Sequence, residues 1–358
     1  MLEQLPIEIV DHIIEYLDFE DVRSIARVRS TFRVLAQQRL FRTIHIVPDP
    51  SKAFSDYIES IISLPHLLQY TSCLVVHCLD SRYETSLQSF WSHLPIMHRL
   101  RGIVIFLDLN DCLGVLSAPE NLGLAREITI SLKCNLAPDL LISDGPLPVH
   151  ALDLWVDASN HQLITRLVQK CSQSLRRLYL SIDHNTTPPL PFIPHLDEFS
   201  LFTRLQDQGN DPDLMSLFPF FDQHPTITRI LLGSEFTLAV QPPPNLLPNL
   251  QFLSATPAII ERLIPGRPVD GIHAEYNSYR TRHFPDDIIL RPLRQPFVPV
   301  TNLAIKTDSH FYNGDPANIV QALPKLREFT LESPCVEVRQ RFEGRRESEL
   351  TGSSSNAC

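Results

Sequence analysis

The feature that most constrains this chain is a short apolar motif that recurs along most of its 358 residues. Each unit holds an apolar residue, two variable residues, a second apolar residue, one variable residue and a third apolar residue. The last two apolar positions are two residues apart, so they fall on one face of a β-strand. The clear units are Leu100/Ile103/Ile105, Val149/Leu152/Leu154, Leu175/Leu178/Leu180, Leu196/Phe199/Leu201, Ile227/Ile230/Leu232, Leu250/Leu253/Ala255, Val300/Leu303/Ile305 and Leu326/Phe329/Leu331. The weaker units are Phe41/Ile44/Ile46, Thr71/Leu74/Val76, Ala125/Ile128/Ile130 and Val269/Ile272/Ala274.

These units follow one another at a nearly regular spacing. Their last apolar residues, from Ile46 to Leu331, recur on average about every 26 residues. Several units are preceded by Leu-Pro or Ile-Pro, and proline cannot donate into a strand ladder, so it marks the turn into each strand. Apolar residues at helical spacing predict short helices between the strands, over residues 56–64, 162–171, 213–221, 258–263 and 316–323.

The period and the strand motif resemble those of leucine-rich repeats. The resemblance implies an α/β fold in which each repeat contributes one strand and one helix. It further implies a curved solenoid with a parallel sheet on its concave face. The Asn or Cys that usually follows the strand of such repeats is mostly missing, so the repeats are irregular. A conventional α/β domain is the alternative interpretation.

The first 46 residues have a different pattern, which predicts a small module of three helices. Ile9, Ile13 and Leu17 recur at i, i+4 and i+8, and further apolar residues beside them make the apolar face unusually broad. Acidic residues from Asp18 to Asp21 suit the start of a second helix. A module of this size has too few residues to bury such a face by itself, which suggests a protein partner.

The same stretch resembles an F-box. The matching residues run from Leu5-Pro6-x-Glu8-Ile9 through Phe32 and Arg33 to Leu35. The resemblance implies docking onto the Skp-type adaptor of a cullin-based ubiquitin ligase. The residues matched to the motif, some contacting the adaptor and some joining the helices, are Leu5, Pro6, Ile9, Ile13, Leu17, Val22, Val28, Phe32 and Leu35. Many F-boxes carry Trp or Cys-Arg in the third helix, where this chain has Phe32. The alternative is a helical bundle that packs on the rest of its own chain.

In a leucine-rich repeat, the residues between and beside the last two apolar anchors face the concave surface, because strand side chains alternate. Interfaces concentrate their binding energy in aromatic and Arg side chains. The candidate substrate-binding residues are Phe106, Trp155, Arg177, Tyr179, Phe202, Arg229 and Phe252. Alternatively, a helix or loop covers these aromatic residues, since a register error of one residue would invert every assignment.

The function implied by the F-box resemblance is that of a non-catalytic substrate-recognition subunit. It would bind the adaptor, and through it a cullin, by its helical module, and an unknown protein substrate by its repeats. Two alternatives are an interaction scaffold outside any ubiquitin ligase and an enzyme whose site is assembled from distant loops. We find no phosphate-binding loop, nucleophile elbow or zinc-protease motif, and we expect no catalytic residues, cofactor or metal.

The composition limits which classes of partner and which cellular compartments fit the chain. The net charge of −10 argues against nucleic acid, whose binding needs clustered Lys and Arg. No apolar run is long enough to span a membrane, and no signal sequence is evident, so we expect a cytosolic or nuclear protein. Seven scattered cysteines indicate reduced thiols. The predicted domains are the helical module over 1–46, the repeats over 47–337 and a polar, disordered tail over 338–358.

Overall fold

The computed structural model describes residues 5–27, 30–47, 54–78, 89–107, 128–132, 146–156, 161–182, 188–203, 212–276, 293, 298–307, 319, 321–332 and 337–341. Contacts divide the chain into two compact units, the first comprising Met1–Asp197 and Thr203–Leu205 and the second Glu198–Phe202 and Gln206–Cys358. In the described ranges, every helix is too short or too polar to cross a membrane.

The first unit opens with three helices, α1 (Ile7–Tyr16), α2 (Phe19–Ile25) and α3 (Ser30–Leu40). Helix α1 ends because Leu17 adopts an extended backbone conformation. The Asp18 carboxylate then accepts a hydrogen bond from the backbone N–H of Asp21 at 2.8 Å and caps α2. This cap satisfies one of the free donors at the start of a helix, as the acidic run predicts.

The repeats of the first unit follow directly after α3. Their helices are α4 (Phe54–Ile62), α5 (Pro65–Leu68) and α6 (His161–Cys171), with a 3-10 turn at Leu94–Ile96. Their strands are β1 (Thr43–Ile46), β2 (Cys73–Cys78), β3 (Gly102–Leu107), β4 (Ile128–Leu132), β5 (Val149–Val156) and β6 (Arg177–Ile182). Each strand pairs in parallel with the next one along the chain.

The second unit repeats this pattern. Its strands are β7 (Glu198–Thr203), β8 (Arg229–Leu232), β9 (Phe252–Ala255), β10 (Gly271–Tyr276), β11 (Asn302–Thr307), β12 (Glu328–Glu332) and β13 (Glu337–Arg341). Its helices are α7 (Phe218–Gln223) and α8 (Pro257–Leu263), and a 3-10 turn at Leu214–Leu217 precedes α7. Strands β7 to β12 are parallel and β13 is antiparallel. The predicted α/β fold with a parallel sheet is thereby confirmed.

The registers align the predicted apolar anchors with one another. Leu152 pairs with Leu178 in the first unit, and Ile272 pairs with Leu303 in the second. The middle anchors of β7 to β12 are buried almost completely. The helices predicted over 56–64, 162–171 and 258–263 form as α4, α6 and α8, whereas the one predicted over 213–221 is split into the 3-10 turn and α7.

The repeat unit predicted at Ala125/Ile128/Ile130 begins two residues too early in the sequence. The sequence assigned Ile128 and Ile130 as the strand anchors of β4, but Ile130 pairs with Ile103 and Leu152, and Leu132 pairs with Leu154. The anchors are therefore Ile130 and Leu132. Three apolar residues alternate along this strand, so its own pattern fits either choice, and pairing with both neighbours decides between them.

The boundary of the predicted C-terminal tail also differs from the structure. Residues 337–341 form β13, which pairs antiparallel with β12, Leu331 lying opposite Val338. The charged composition of this segment suggested a tail, but an edge strand needs only backbone hydrogen bonds and tolerates charged side chains. Strand β13 thus supplies a polar strand beside the last parallel repeat. Residues 342–358 lie outside the described part.

The described cysteine side chains are those of Cys73 and Cys171, and both are free thiols. Cys171 closes the buried face of α6, which also carries Leu163, Leu167 and Val168. Burial raises the pKa of the Cys171 thiol to about 12 and raises that of Cys73 as well. Cys171 is therefore a small apolar group of the core.

Candidate protein-interaction surfaces

The three N-terminal helices form their own small apolar core. Val10 and Ile14 of α1 are buried against Val22 of α2 and against Leu35 and Ala36 of α3. Leu17, Ile25, Ala26, Phe32 and Leu40 pack around this cluster and are partly buried. Helix α1 therefore packs on α2 and α3 through one side, which carries Val10 and Ile14.

The neighbouring side of α1 is apolar and faces solvent. Ile9 is 47% exposed, Ile13 is 40% exposed and Tyr16 is 79% exposed. These residues are spaced at i, i+4 and i+7, so they form one stripe along the helix, which we call the α1 stripe. Leu5 just before the helix and Phe19 at the start of α2 are exposed too. Burying a large apolar side chain contributes roughly 1.5–3 kcal/mol, so this surface is suited to a protein partner.

The structure divides the residues that were matched to the F-box motif. Val22 and Leu35 are buried in the helical core, and Leu17 and Phe32 pack against it. The exposed members are Leu5, Pro6, Ile9 and Ile13. Val28 lies outside the described residues. The sequence interpretation missed Tyr16 and Phe19, although Tyr16 continues the helical spacing of Ile9 and Ile13.

Arg39 joins the end of α3 to α1, and Arg42 joins the helical module to the first repeat. The Arg39 Nη2 atom donates to the backbone oxygen of Glu15 at 3.3 Å. The Arg42 Nη1 atom lies 3.7 Å from Glu15 Oε1. Arg42 immediately precedes β1, so the end of α1 is tied to the start of the parallel strands.

The predicted substrate-binding residues of the first unit lie on the strand face opposite the anchors. Along β5, Leu152 and Leu154 are buried, whereas Asp153 and Trp155 between and beside them are half-buried. Tyr179 of β6 is half-buried and pairs with Asp153, and Arg177 next to it is exposed. Trp155 and Tyr179 are therefore diagonal neighbours on adjacent strands, within reach of each other's long side chains. Phe106 belongs to β3, but its side chain lies outside the described part.

In the second unit, the predicted residues Arg229 and Phe252 form one cross-strand row with Glu198. The Arg229 Nε atom lies 3.6 Å from Glu198 Oε2, and its guanidinium carbon lies 4.2 Å from the centre of the Phe252 ring. Gly271 occupies the next position of the row, where a Cβ atom would lie 2.9 Å from Phe252 Cδ2. The row combines an arginine held by an acid and an aromatic ring, the residue types that anchor interfaces.

The rest of this strand face in the second unit is more buried than the row at Arg229. Ser200 and Ser254, which lie one row further along, are buried, and Phe202 is half-buried. The Ser254 hydroxyl lies 3.2 Å from Nδ1 of His273. The exposed part of the predicted surface in this unit is therefore concentrated at Arg229, beside the half-buried Phe252.

No known protein-family model matches this chain, and no curated protein is similar to it in sequence. Within the described ranges, no group of three or more His, Cys, Asp or Glu side chains is arranged to hold a metal ion.

Proposed function

We propose that this protein is the substrate-recognition subunit of a Skp–cullin–F-box ubiquitin ligase. The observation that carries the proposal is the α1 stripe, because the helical module completes its own core with Val10 and Ile14 and still exposes Ile9 and Ile13. A module that only packed on its own chain would be expected to bury these residues. The F-box motif matches the same exposed positions, so the Skp-type adaptor is the partner that we assign to them.

The repeats would form a curved solenoid whose concave face receives a protein substrate. Consecutive strand order and in-register anchors support this arrangement. The protein would act without catalytic residues in the cytosol or nucleus, by holding a substrate near the ubiquitin-loaded enzyme and raising its effective concentration.

The adaptor interaction is tested by capturing the adaptor and the cullin with the wild-type chain and with Leu5→Ala/Pro6→Ala. We expect the wild type to capture both proteins and the double variant to lose both, because the exposed Leu5 and Pro6 begin the apolar surface. Capture of the adaptor without the cullin would instead favour a scaffold outside the ligase. Failure of the wild type to capture either protein would contradict the proposal.

The substrate surface is tested with Trp155→Ala/Tyr179→Ala. Both side chains are half-buried on the face opposite the anchors, so their removal takes apolar area from that face. We expect loss of substrate capture, measured by mass spectrometry of co-purified proteins, together with unchanged adaptor binding. Leu152→Ala is the control on the anchor face, since it should lower stability rather than act through the surface. An unchanged set of captured substrates in the double variant would remove this face from the proposal.

A further inference from the structure

The strand starts of β1 and β3 carry exposed arginines, Arg42 and Arg101. The described residues 60–78 and 89–107 contain no Asp or Glu, although acids outnumber Lys and Arg by 41 to 31 in the whole chain. The same residues carry Arg99 and Arg101, both exposed.

Backbone hydrogen bonds place Arg42, Ser72 and Arg101 in one row at this edge of the sheet. The N–H of Arg101 donates to the Ser72 oxygen at 2.8 Å, and the N–H of Ser72 donates to the Arg42 oxygen at 2.8 Å. The Ser72 hydroxyl also donates to the Arg42 oxygen, at 3.0 Å. Arg42 and Arg101 are thus two strands apart, which corresponds to about 9.6 Å between their backbones.

Arg99 is positioned beside this row. Its guanidinium carbon lies 5.8 Å from the centre of the half-buried Tyr70 ring, within the range of a cation–π contact. The contact limits the freedom of a long side chain while leaving its charge exposed. Arg42 already has Glu15 at 3.7 Å, but neither Arg99 nor Arg101 has a carboxylate partner among the described residues. We name Arg42, Arg99 and Arg101 the cationic edge.

We propose that the cationic edge binds an acidic segment of a protein partner. Carboxylates are the charge complement of these guanidinium groups, and Arg pairs with them through two parallel hydrogen bonds. A nucleic acid fits less well, because the chain carries a net charge of −10 and presents only a few cations here. A membrane surface is recognised by denser clusters of basic residues. The proposal stands independently of the proposed function, since it uses neither the α1 stripe nor the substrate face.

The test measures binding of a short fluorescein-labelled oligoglutamate peptide to the full chain by fluorescence anisotropy. We expect binding at about 50 mM salt that weakens at about 300 mM, as for exposed charges. Arg99→Gln/Arg101→Gln should lower the affinity about tenfold, which is within the range for two exposed ion pairs. Arg327→Gln is the matched control, because Arg327 is also exposed and its N–H donates to the residue before the preceding strand, Thr301, at 2.8 Å.

Several outcomes would overturn the proposal. These are equal binding of a neutral Gly-Ser peptide, an unchanged affinity of the double variant, and an equal loss in Arg327→Gln. Displacement of oligoglutamate by oligothymidylate at lower concentration than by free peptide would reassign the surface to nucleic acid. If thermal unfolding shows that the double variant is misfolded, Arg101→Gln alone should lower the affinity about threefold, and no loss in that variant would overturn the proposal.

Discussion

Substitution of Arg267 by Ala is expected to lower the free energy of unfolding by about 3–5 kcal/mol. Arg267 is 1% exposed and is among the largest fully buried side chains. Its Nε donates to the Leu246 oxygen at 2.7 Å and its Nη2 to the Pro243 oxygen at 2.8 Å. Its Nη1 donates to the oxygens of Leu263 at 2.6 Å and Pro265 at 3.0 Å. The side chain thus joins the end of α8 to the turn before β9.

The large loss of stability is expected because Arg267 donates to four backbone oxygens. Burial lowers the pKa of Arg267, but a guanidinium remains charged in proteins. The carbonyl groups at the end of a helix lack intrahelical partners, and a cation there is favourable. Removing the side chain leaves these backbone oxygens without a donor and opens a cavity.

Urea denaturation of the wild type and three variants measures this effect. Arg267→Met keeps most of the volume without the donors and should still cost at least about 2 kcal/mol. The exposed Arg327→Ala serves as the control and should stay within about 0.5 kcal/mol of wild type. If Arg267→Met were as stable as wild type, the side chain would stabilise the fold by packing rather than by its hydrogen bonds. That result would contradict our explanation for Arg267.

Substitutions at the adjacent residues Ile13 and Ile14 are expected to have opposite effects. Ile14 is 2% exposed in the helical core, so Ile14→Ala should cost about 2–5 kcal/mol of stability. Ile13 is 40% exposed on the α1 stripe, so Ile13→Ala should cost under about 1 kcal/mol. Affinity for the proposed adaptor should instead fall about tenfold or more in Ile13→Ala, because truncation of an anchoring apolar side chain costs over 1 kcal/mol of binding.

Calorimetric titration with the adaptor and urea denaturation separate the two effects. Ile9→Ala should behave like Ile13→Ala, and Val10→Ala should follow Ile14→Ala with a smaller loss, since valine is the smaller residue. Full adaptor affinity in Ile9→Ala/Ile13→Ala would remove the α1 stripe from the proposed interface. A large loss of stability in Ile13→Ala would show that this residue belongs to the folding core instead.

The strands could be predicted from the sequence because the motif itself encodes them, and their parallel order is expected from the resemblance to leucine-rich repeats. Apolar residues two apart specify one face of a strand, and their recurrence about every 26 residues leaves room for only a short helix or turn before the next strand. Leu178 and Leu303 accordingly lie in register with anchors of the neighbouring repeats. At β4 the same logic failed, because three alternating apolar residues fit two registers equally well.

Which apolar residues of α1 are buried and which are exposed could not be predicted from the sequence. Ile9, Val10, Ile13 and Ile14 are all large and aliphatic, so periodicity shows a broad apolar face and not which half of it the other helices cover. Packing against Val22 and Leu35 selects Val10 and Ile14 for the core. The exposure of Ile9 and Ile13, on which the proposed interface depends, is a consequence of that choice.

The helical module and the repeated strands could be predicted from local patterns, because both depend on apolar spacing between near neighbours. Three features depend on contacts between distant residues: which apolar residues stay exposed, the pairing of β13 with β12, and the burial of Arg267. In sequence, Arg267 lies between Gly266 and Pro268 and resembles an ordinary polar loop residue. Its burial depends on carbonyl groups 21 and 24 residues away, and no local pattern records such distant partners.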